Sequence, residues 1–247
     1  MRVNDEIVNI DYNSTKTFFE HRMNKYNSEN PYALTMYQDN NPKLVEERNA
    51  KEIEIIKPLL NLQSSSKVLD IACGIGRWSD AITEPIELYC GLDFCEGFID
   101  LAKTRNECLD NRHFFVSDGT KFVECIKEQF NKVKFNVVLM MGFLMYLNDE
   151  DLLDVLKQML EVNADDCTIC IREPIGIKSR LTLKDFYSSE LEDDYNVIYR
   201  TRDEWHYFFE ISGLNCEYKI KYENFLFENC LNNRKETSQY FFVLERR

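Results

Sequence analysis

The chain has 247 residues, of which 44% are hydrophobic and 30% are charged, and its formal net charge is −13. This length and composition predict one α/β domain, with or without a terminal extension, that is long enough to bury a substantial core. Such an acidic chain is not expected to bind DNA or RNA, because that binding depends on clustered basic side chains. The most apolar run, residues 137–147, is far shorter than the roughly 20 residues that span a bilayer. We therefore expect a cytoplasmic protein, monomeric or homodimeric, with no membrane partner.

Nine cysteines are scattered between Cys73 and Cys230. Cys167 and Cys170 form a CxxC pair, but the pair stands in a strand-like run, where positions three apart face opposite sides of a sheet. The sequence has no second CxxC that would complete a tetrahedral zinc site. We therefore predict reduced thiols and no metal site.

The first 60 residues are polar, with helix-like patterns over residues 15–26 and 42–60 that are separated by a turn-prone stretch rich in Asn and Pro. From residue 67 the pattern changes to alternating strands and helices. The predicted strands are 67–71, 87–92, 113–117, 135–141 and 167–172, and the predicted helices are 77–83, 97–108, 121–130 and 150–162. A long polar region follows, then a helix near 202–212 and two final strands over 217–227 and 239–245.

This order of elements predicts an α/β fold with a Rossmann-like, doubly wound, mostly parallel sheet of seven strands, the last one antiparallel. Continuous apolar runs such as VVLMM are typical of strands that are covered on both faces. We predict an N-terminal helical cap over residues 1–60 and one globular unit over residues 61–247.

The most informative stretch runs from Val68 to Ile82, where a hydrophobic strand leads through Cys73-Gly74-Ile75-Gly76 into a helix. Glycine permits a sharp turn and close approach of a ligand, and a helix N-terminus offers free N–H groups to an anion. Asp93 follows Gly76 by 17 residues, at the end of the next predicted strand, where a carboxylate can accept both hydroxyls of a ribose. Together these features predict a site for a cofactor that contains adenosine.

Two residues discriminate between adenosine cofactors. The dinucleotide fingerprint GxGxxG requires glycine at position 79, where this chain has Ser79. Asp70, just before the turn, would repel a pyrophosphate but would attract the ammonium of an amino acid. Each residue alone has an ordinary explanation as a cap or a turn residue, whereas the ordered set favours S-adenosylmethionine (SAM) over a nicotinamide dinucleotide.

The stretch resembles class I SAM-dependent methyltransferases, in particular small-molecule enzymes with a VLDIxCGxGRW turn. The resemblance continues through GLDFCEGFIDLAK, FFVSDGTKF and FNVVLMMGFLMYLNDEDL, and it covers residues 68–172. It implies that Asp93 binds the ribose, that Asp118 and Gly119 flank the adenine, and that residues 141–143 line the cofactor cleft. Many relatives have glycine in place of Ala72, and we expect a slight adjustment of the turn without loss of binding. The expected cofactor-binding residues are Asp70, Ala72, Gly74, Gly76, Arg77, Trp78, Asp93, Phe94, Asp118, Gly119, Met141 and Gly142.

The acceptor side requires alignment, exclusion of water and, for a hydroxyl acceptor, a base. We predict Glu173, which follows the fifth strand, His206 and Tyr37 as candidate catalytic residues. His206 has a suitable pKa class, but a histidine beside Trp205 is also typical of a half-packed structural residue.

The N-terminal segment is similar to the cap of methyltransferases from bacterial polysaccharide and natural-product gene clusters, which folds over cofactor and acceptor. An aromatic-rich helix pair packed on the sheet is the alternative interpretation. Basic residues between positions 178 and 202 would suit an anionic acceptor. The expected acceptor-binding residues are Arg22, Tyr26, Tyr37, Gln38, Tyr146, Tyr199 and Arg200.

The sequence therefore predicts SAM-dependent methyl transfer to a small polar acceptor. The acceptor group that we expect is the hydroxyl of a sugar, a sugar nucleotide or a phosphorylated metabolite, in surface-polysaccharide or natural-product synthesis. The alternatives are an NAD(P)-dependent oxidoreductase, which Ser79 and Asp70 disfavour, and a nucleotide-binding protein without turnover.

Overall fold

A computed structural model describes residues 1–38, 40–228 and 231–247; Cys230, the last of the cysteines considered above, lies outside the described residues. The strands are β1 Arg2–Asn4, β2 Lys67–Ile71, β3 Leu88–Asp93, β4 Arg112–Val116, β5 Phe135–Met141, β6 Asn163–Gly176, β7 Leu181–Ser188, β8 Asp193–Tyr199, β9 Tyr218–Phe225 and β10 Thr237–Arg246. The α-helices are α1 Tyr12–Arg22, α2 Ala33–Met36, α3 Pro42–Ile56, α4 Arg77–Ala81, α5 Glu96–Arg105, α6 Phe122–Phe130, α7 Asp149–Val162, α8 Arg202–Ile211 and α9 Leu214–Glu217. Over the described residues, a helix with the length and apolar character needed to cross a bilayer does not occur.

The main sheet has seven strands in the order β4-β3-β2-β5-β6-β10-β9. Strands β2 to β6 pair in parallel, whereas β10 runs antiparallel to both of its neighbours. The chain moves outwards from β2 to β4 and then crosses back to β5, so the strand order reverses between β2 and β5. The predicted fold class is confirmed, and ligands of such sheets bind at the carboxyl ends of the strands near this reversal.

Apolar clusters cover both faces of the sheet. One cluster contains Cys167 together with Leu156 of α7 and Phe208 of α8, and the other contains Cys170 together with Trp78 of α4. The two cysteines of the CxxC pair therefore lie on opposite faces, as the strand periodicity predicts. Among the described residues, no group of three or more His, Cys, Asp and Glu side chains is placed to hold a metal ion.

A second, three-stranded sheet in the order β1-β7-β8 differs from the prediction of a polar region after Glu173. Its β8 strand buries Tyr195 and Val197 against Phe18 of α1. Its outer strand β1 pairs with β7 across some 180 residues of sequence, with Val3 opposite Thr182. Because this pairing joins distant segments, no local pattern in the sequence reveals it.

The N-terminal helices pack against both sheets. The Phe18 ring on α1 contacts the Tyr195 ring edge-on with centroids 5.2 Å apart. The beginning of α1 is fastened to the turn before α7, since the backbone N–H of Ile10 donates to Asn148 Oδ1 at 2.9 Å and the N–H of Asn148 donates to the Tyr12 hydroxyl at 2.8 Å. These contacts hold the N-terminal segment over the carboxyl edge of the main sheet.

Candidate active site

A cavity of about 540 Å³ opens at the carboxyl ends of β2, β3, β4 and β5. Its walls come from the residues that directly follow these strands and from the N-terminal segment. Eleven of the twelve expected cofactor-binding residues line it: Asp70, Ala72, Gly74, Arg77, Trp78, Asp93, Phe94, Asp118, Gly119, Met141 and Gly142. We call this space the first cavity.

Asp70 lies at the end of β2 and is 1% exposed. Its Oδ2 accepts a hydrogen bond from the Tyr89 hydroxyl at 2.5 Å, whereas its Oδ1 has no hydrogen-bond partner among the described residues. Burial raises the pKa of this carboxyl to about 7. A buried acceptor without a partner is costly, so this oxygen is available to a donor on a ligand in the first cavity.

Asp93 is the last residue of β3, and its carboxylate connects this strand to the glycine turn that follows β2. Its Oδ2 accepts from the backbone N–H of Gly74 and its Oδ1 from the N–H of Cys95, both at 2.9 Å. Burial raises the pKa of this carboxyl to about 6. Each oxygen keeps a second lone pair, so the group is still able to accept hydroxyl donors.

The glycine turn has left-handed backbone at Ala72 (φ +61°) and Gly74 (φ +56°). A Cβ on Gly74 would lie 2.8 Å from Thr35 Cγ2, which shows how closely the N-terminal segment covers the turn. Gly76 is the exception among the expected residues, since it does not line the first cavity. A Cβ there would lie 3.4 Å from Ala102 Cβ on α5, so Gly76 allows close helix packing, and its role as a cofactor contact stays a prediction.

The far end of the first cavity follows β4 and β5. Asp118 accepts hydrogen bonds from the backbone N–H and the hydroxyl of Thr120, both at 2.8 Å. A Cβ on Gly119 would overlap the ring of Phe143, so only glycine fits between the two segments. Asp118, Gly119 and Phe143 thus form a narrow slot, one side of which is the Phe143 ring.

A second cavity of about 320 Å³ adjoins the first. Its walls come from the N-terminal segment with α3, from the three-stranded sheet, and from the turn before β10. Four of the seven expected acceptor-binding residues line it: Tyr37, Gln38, Tyr146 and Tyr199. Its charged lining consists of Arg2, Arg48, Arg172, Arg234, Lys235, Glu52, Glu190 and Glu236. Basic side chains thus outnumber carboxylates here, in a chain whose net charge is −13.

The two cavities share one wall, which is lined on both sides by Thr35, Met36, Tyr37, Met141, Gly142, Tyr146 and Arg172. The hydroxyls of Tyr37 and Tyr146 are 2.5 Å apart, and the hydroxyl of Tyr146 is 2.8 Å from that of Tyr195. Burial raises the pKa of all three phenols, so they stay protonated near neutral pH. They form a row of hydrogen-bonding groups that leads from the shared wall into the second cavity.

Glu173 faces neither cavity, which corrects its expected role as a base. Its fully buried carboxylate accepts hydrogen bonds from the backbone N–H groups of Phe143, Leu144 and Met145 at 2.9, 2.8 and 3.2 Å. Burial raises the pKa of this carboxyl to about 7. Because both oxygens hold the turn that carries Tyr146, Glu173 fixes the shared wall instead of contacting an acceptor.

Arg200 holds the same turn from its other side. It is 0% exposed, donates to the carbonyls of Leu144 and Leu147 at 3.0 and 2.6 Å, and pairs with Asp149 at 2.6 Å. Arg180 pairs with the same carboxylate at 2.9 Å. The expected basic group between residues 178 and 202 is therefore partly neutralised within the fold, and Arg200 is not an acceptor contact.

Three further expected residues lie outside both cavities. The Nε2 atom of His206 on α8 lies 2.9 Å from Glu223 Oε2 on β9. His206 therefore pairs with a carboxylate away from the cavities and is not a base at the site. Arg22 is 2% exposed and donates to two backbone carbonyls of residues 33–34. Tyr26 is 38% exposed. The fold directs these side chains towards its own packing or towards solvent.

Glu52 on α3 is absent from the predicted residues although it lines the second cavity and contacts two residues that line the first. It is 1% exposed, and its Oε1 accepts from Arg77 Nη2 at 2.5 Å and from Trp78 Nε1 at 3.3 Å. Its Oε2 forms an ion pair with Arg172 Nε at 3.3 Å. Burial opposes ionisation, but the two arginines outweigh it and hold the pKa of this carboxyl below its ordinary value. No local pattern distinguishes it from the exposed glutamates of the same helix.

Comparison with known proteins relates part of this chain to methyltransferases. Residues 68–166 match the family model of the methyltransferase domain. The chain is 28% identical over 145 residues to phosphoethanolamine N-methyltransferase 1 of Caenorhabditis elegans, covering 59% of this chain and 28% of that protein. It is 30% identical over 106 residues to the demethylmenaquinone methyltransferase of Staphylococcus epidermidis, covering 42% of this chain and 41% of that protein. The chain thus spans less than half the length of these curated relatives.

The fold is similar to that of phosphoethanolamine N-methyltransferase 1 of Haemonchus contortus, solved with phosphoethanolamine and S-adenosylhomocysteine (SAH). The TM-score is 0.69 at 17% identity, over 96% of this chain and 50% of that one. At this identity the likeness concerns the fold. The domain match confirms the predicted methyltransferase class for residues 68–166, and SAM is the cofactor that this class implies. Residues 68–166 thus match a methyltransferase domain, within a fold similar to that of a solved methyltransferase.

Proposed function

We propose that this chain transfers a methyl group from SAM to a small polar acceptor that carries an anionic group. The observation that carries the proposal is the pair of adjoining cavities with a shared wall. A transfer between two bound molecules requires such a junction, because the reacting atoms must come into near-attack contact.

The first cavity suits SAM at both ends. Asp70 Oδ1, which has no partner among the described residues, is expected to accept from the ammonium of the methionine part. Asp93 is expected to accept the ribose hydroxyls, and Gly119 to lie beside the adenine. An NAD(P)-dependent oxidoreductase is disfavoured, because a pyrophosphate would meet Asp70, and because the side chain of Ser79 is engaged with Asn106 at 2.7 Å.

SAM supplies a methyl group on a sulfonium, and the leaving group is a neutral thioether. The chain has to align the acceptor, exclude water and hydrogen-bond the nucleophile. Tyr37 and Tyr146 stand at the shared wall, where their hydroxyls can orient an acceptor hydroxyl or amine. Of the three residues expected to be catalytic we therefore retain Tyr37, as a hydrogen-bonding residue.

The charge of the second cavity supports an anionic acceptor. Among the described residues, Arg48 and Lys235 have no carboxylate partner, although both line this cavity. Within the described part of the chain, the Arg48 guanidinium donates only to the carbonyl of Leu231 and to the side-chain oxygen of Asn233. A phosphate on the acceptor would match these cations. The relatives that act on phosphoethanolamine agree with this chemistry, and sugar phosphates and sugar nucleotides of polysaccharide or natural-product synthesis belong to the same proposal.

We also propose that residues 1–60 act as a cap over both cavities. Thr35 sits on the glycine turn, and the Tyr12 hydroxyl donates to Asp151 at the rim of the first cavity. The same segment supplies Met36 and Tyr37 to the shared wall. A cap of this kind would exclude water from the point of transfer.

Thermal unfolding with SAM, SAH, NAD and NADP tests the cofactor part of the proposal. A ligand at about a hundred times its dissociation constant stabilises the native state by roughly 2.7 kcal/mol. We expect stabilisation by SAM and SAH alone, its loss in Asp93→Ala, and no change in Asp100→Ala, which removes an exposed carboxylate from α5. Stabilisation by NAD or NADP would overturn the assignment.

SAH formation with sugar phosphates, sugar nucleotides and phosphoethanolamine tests the acceptor part. With an acceptor that turns over, Arg48→Gln is expected to raise the acceptor KM about tenfold, the loss of one charge-assisted contact, and to leave the SAH affinity unchanged. The matched control is Lys43→Gln, an exposed cation of the same helix. A protein that binds SAH but yields no product with any of these acceptors would favour the alternative without turnover.

A further inference from the structure

The buried charges around Glu52 form one connected group. The carboxylate contacts Arg77 and Trp78, which line the first cavity, and Arg172, which lines both cavities. The side chains of Glu52, Arg77 and Arg172 are 2%, 6% and 11% exposed. Two guanidinium groups thus share one carboxylate away from water.

Glu52, Arg77 and Arg172 together carry one excess positive charge beside the first cavity, where the buried Asp70 carboxyl also interacts with both arginines. Among the described residues, the other hydrogen bonds of both guanidinium groups go to neutral acceptors: Arg77 donates to Asn49 Oδ1 at 2.9 Å, and Arg172 donates to Gln239 Oε1 at 3.3 Å and to the carbonyl of Met141 at 3.2 Å. A buried cation without an equal counter-charge is stabilised by an anion that binds next to it. Asp70, with its unpartnered Oδ1, lines the same cavity.

The two features together match a zwitterion. An α-amino acid group carries an ammonium, which suits Asp70, and a carboxylate, which suits the surplus charge of the arginines. An adenosine without an amino acid part has neither group.

We propose that Glu52 is a positioning residue for the amino-acid end of the cofactor, supplied by the N-terminal helix α3 to a turn of the main sheet. This inference rests on the proposed function. Glu52 fixes the Arg77 guanidinium and the Trp78 indole with one oxygen and keeps Arg172 at the shared wall with the other. The cofactor site is therefore completed by a helix that lies before the methyltransferase domain in the chain.

Calorimetric titration with SAH and with 5′-methylthioadenosine, which lacks the amino acid part, tests this role. In Glu52→Gln we expect the Kd of SAH to rise at least tenfold and that of methylthioadenosine to change less than twofold. The matched control is Glu54→Gln, which removes an exposed carboxylate two residues further along α3 and should leave both affinities unchanged. Should Glu52→Gln not fold, Glu52→Asp keeps the charge but cannot span both arginines, and we expect a smaller loss for SAH alone.

Each outcome has a distinct meaning. Selective loss of SAH affinity supports the positioning role. An equal loss of affinity for both ligands would mean that Glu52 acts only through general packing, and this result would overturn the inference. Unchanged affinities for both ligands would overturn it as well. A wild-type protein that binds neither ligand would overturn the proposed function itself.

Discussion

The two cavities are built in opposite ways. The first is formed mainly by residues that follow four parallel strands within residues 70–143, under a cover from the N-terminal segment. It contains the buried acids Asp70 and Asp93, and Asp70 Oδ1 has no hydrogen-bond partner in the described part of the chain. The second gathers residues from positions 2 to 239, and most of its basic side chains already have partners in the fold. A site made by consecutive strand ends is fixed by the backbone, whereas a site made by distant segments depends on the side chains that hold those segments together.

The largest expected effect tests whether Arg200 supports the shared wall or contacts the acceptor. Arg200→Met should lower the free energy of unfolding by about 3–5 kcal/mol, because it removes a fully buried guanidinium, leaves the half-buried Asp149 partly unpaired and frees two carbonyls of the turn. Urea unfolding measures this change. The exposed Arg202→Met is the control, and its loss should stay below about 1 kcal/mol. An unchanged unfolding energy combined with a raised acceptor KM would restore Arg200 as an acceptor residue.

The next effect concerns the first cavity alone. Asp70→Asn keeps the shape but removes the charge that we assign to the cofactor ammonium, so the Kd of SAH should rise about 10- to 100-fold, the range of a charged hydrogen bond. Calorimetric titration gives the value. Asp100→Asn is a suitable control, because Asp100 is an exposed carboxylate of α5 that does not line the first cavity. Equal losses in both variants would contradict the distinction between them.

The raised pKa values of Asp70 (about 7) and Asp93 (about 6) predict pH-dependent binding. A ligand that donates to these carboxylates favours their ionised forms, so SAH binding should release protons and tighten about tenfold from pH 5.5 to 8. Without ligand the sign is opposite. Because the native pKa values exceed the unfolded values of about 4, the native state holds more protons between pH 4 and 7, and these acids contribute less stability as the pH rises.

Titrations at several pH values, each in two buffers of different ionisation enthalpy, measure the released protons. In Asp70→Asn most of the pH dependence of SAH binding should disappear. An affinity that is flat from pH 5.5 to 8 in the wild type would contradict the assignment of buried carboxyls to the cofactor.

The smallest effect concerns the backbone of the glycine turn. Ala72→Gly should raise the free energy of unfolding by up to about 1 kcal/mol, because glycine removes the left-handed strain of Ala72 and loses part of that gain in backbone entropy. Ala81→Gly at the end of α4 is a control with the opposite sign, and it should cost about 1 kcal/mol. Thermal unfolding measures both. A destabilised Ala72→Gly variant would mean that the Ala72 methyl group makes contacts that outweigh its strain.

The same contrast explains how much the sequence predicts. The alternation of strands and helices gives the main sheet, and the predicted bounds of β2 and β5 coincide with the observed ones. Asp70, Asp93 and the turn between them act through backbone position, so a local motif identifies them.

The residues that the sequence misjudges act through distant partners. Glu52 depends on Arg77 and Arg172, which lie 25 and 120 residues away, and a helix rich in glutamate gives no sign of the one that is buried. Glu173 resembles a base at a strand end, yet the turn that follows β5 occupies both of its oxygens. Periodicity and motif spacing do not contain this information.

The matched methyltransferase domain, residues 68–166, contains most of the first cavity, whereas the second draws mainly on residues before and after it. The proposed acceptor site is therefore built mainly from other parts of the chain than the proposed cofactor site. We expect mutations in the small sheet and in the turn before β10, which line only the second cavity, to change the choice of acceptor and to leave cofactor binding intact. For protein engineering, libraries confined to those two segments should diversify the methylated product and leave the proposed SAM site intact.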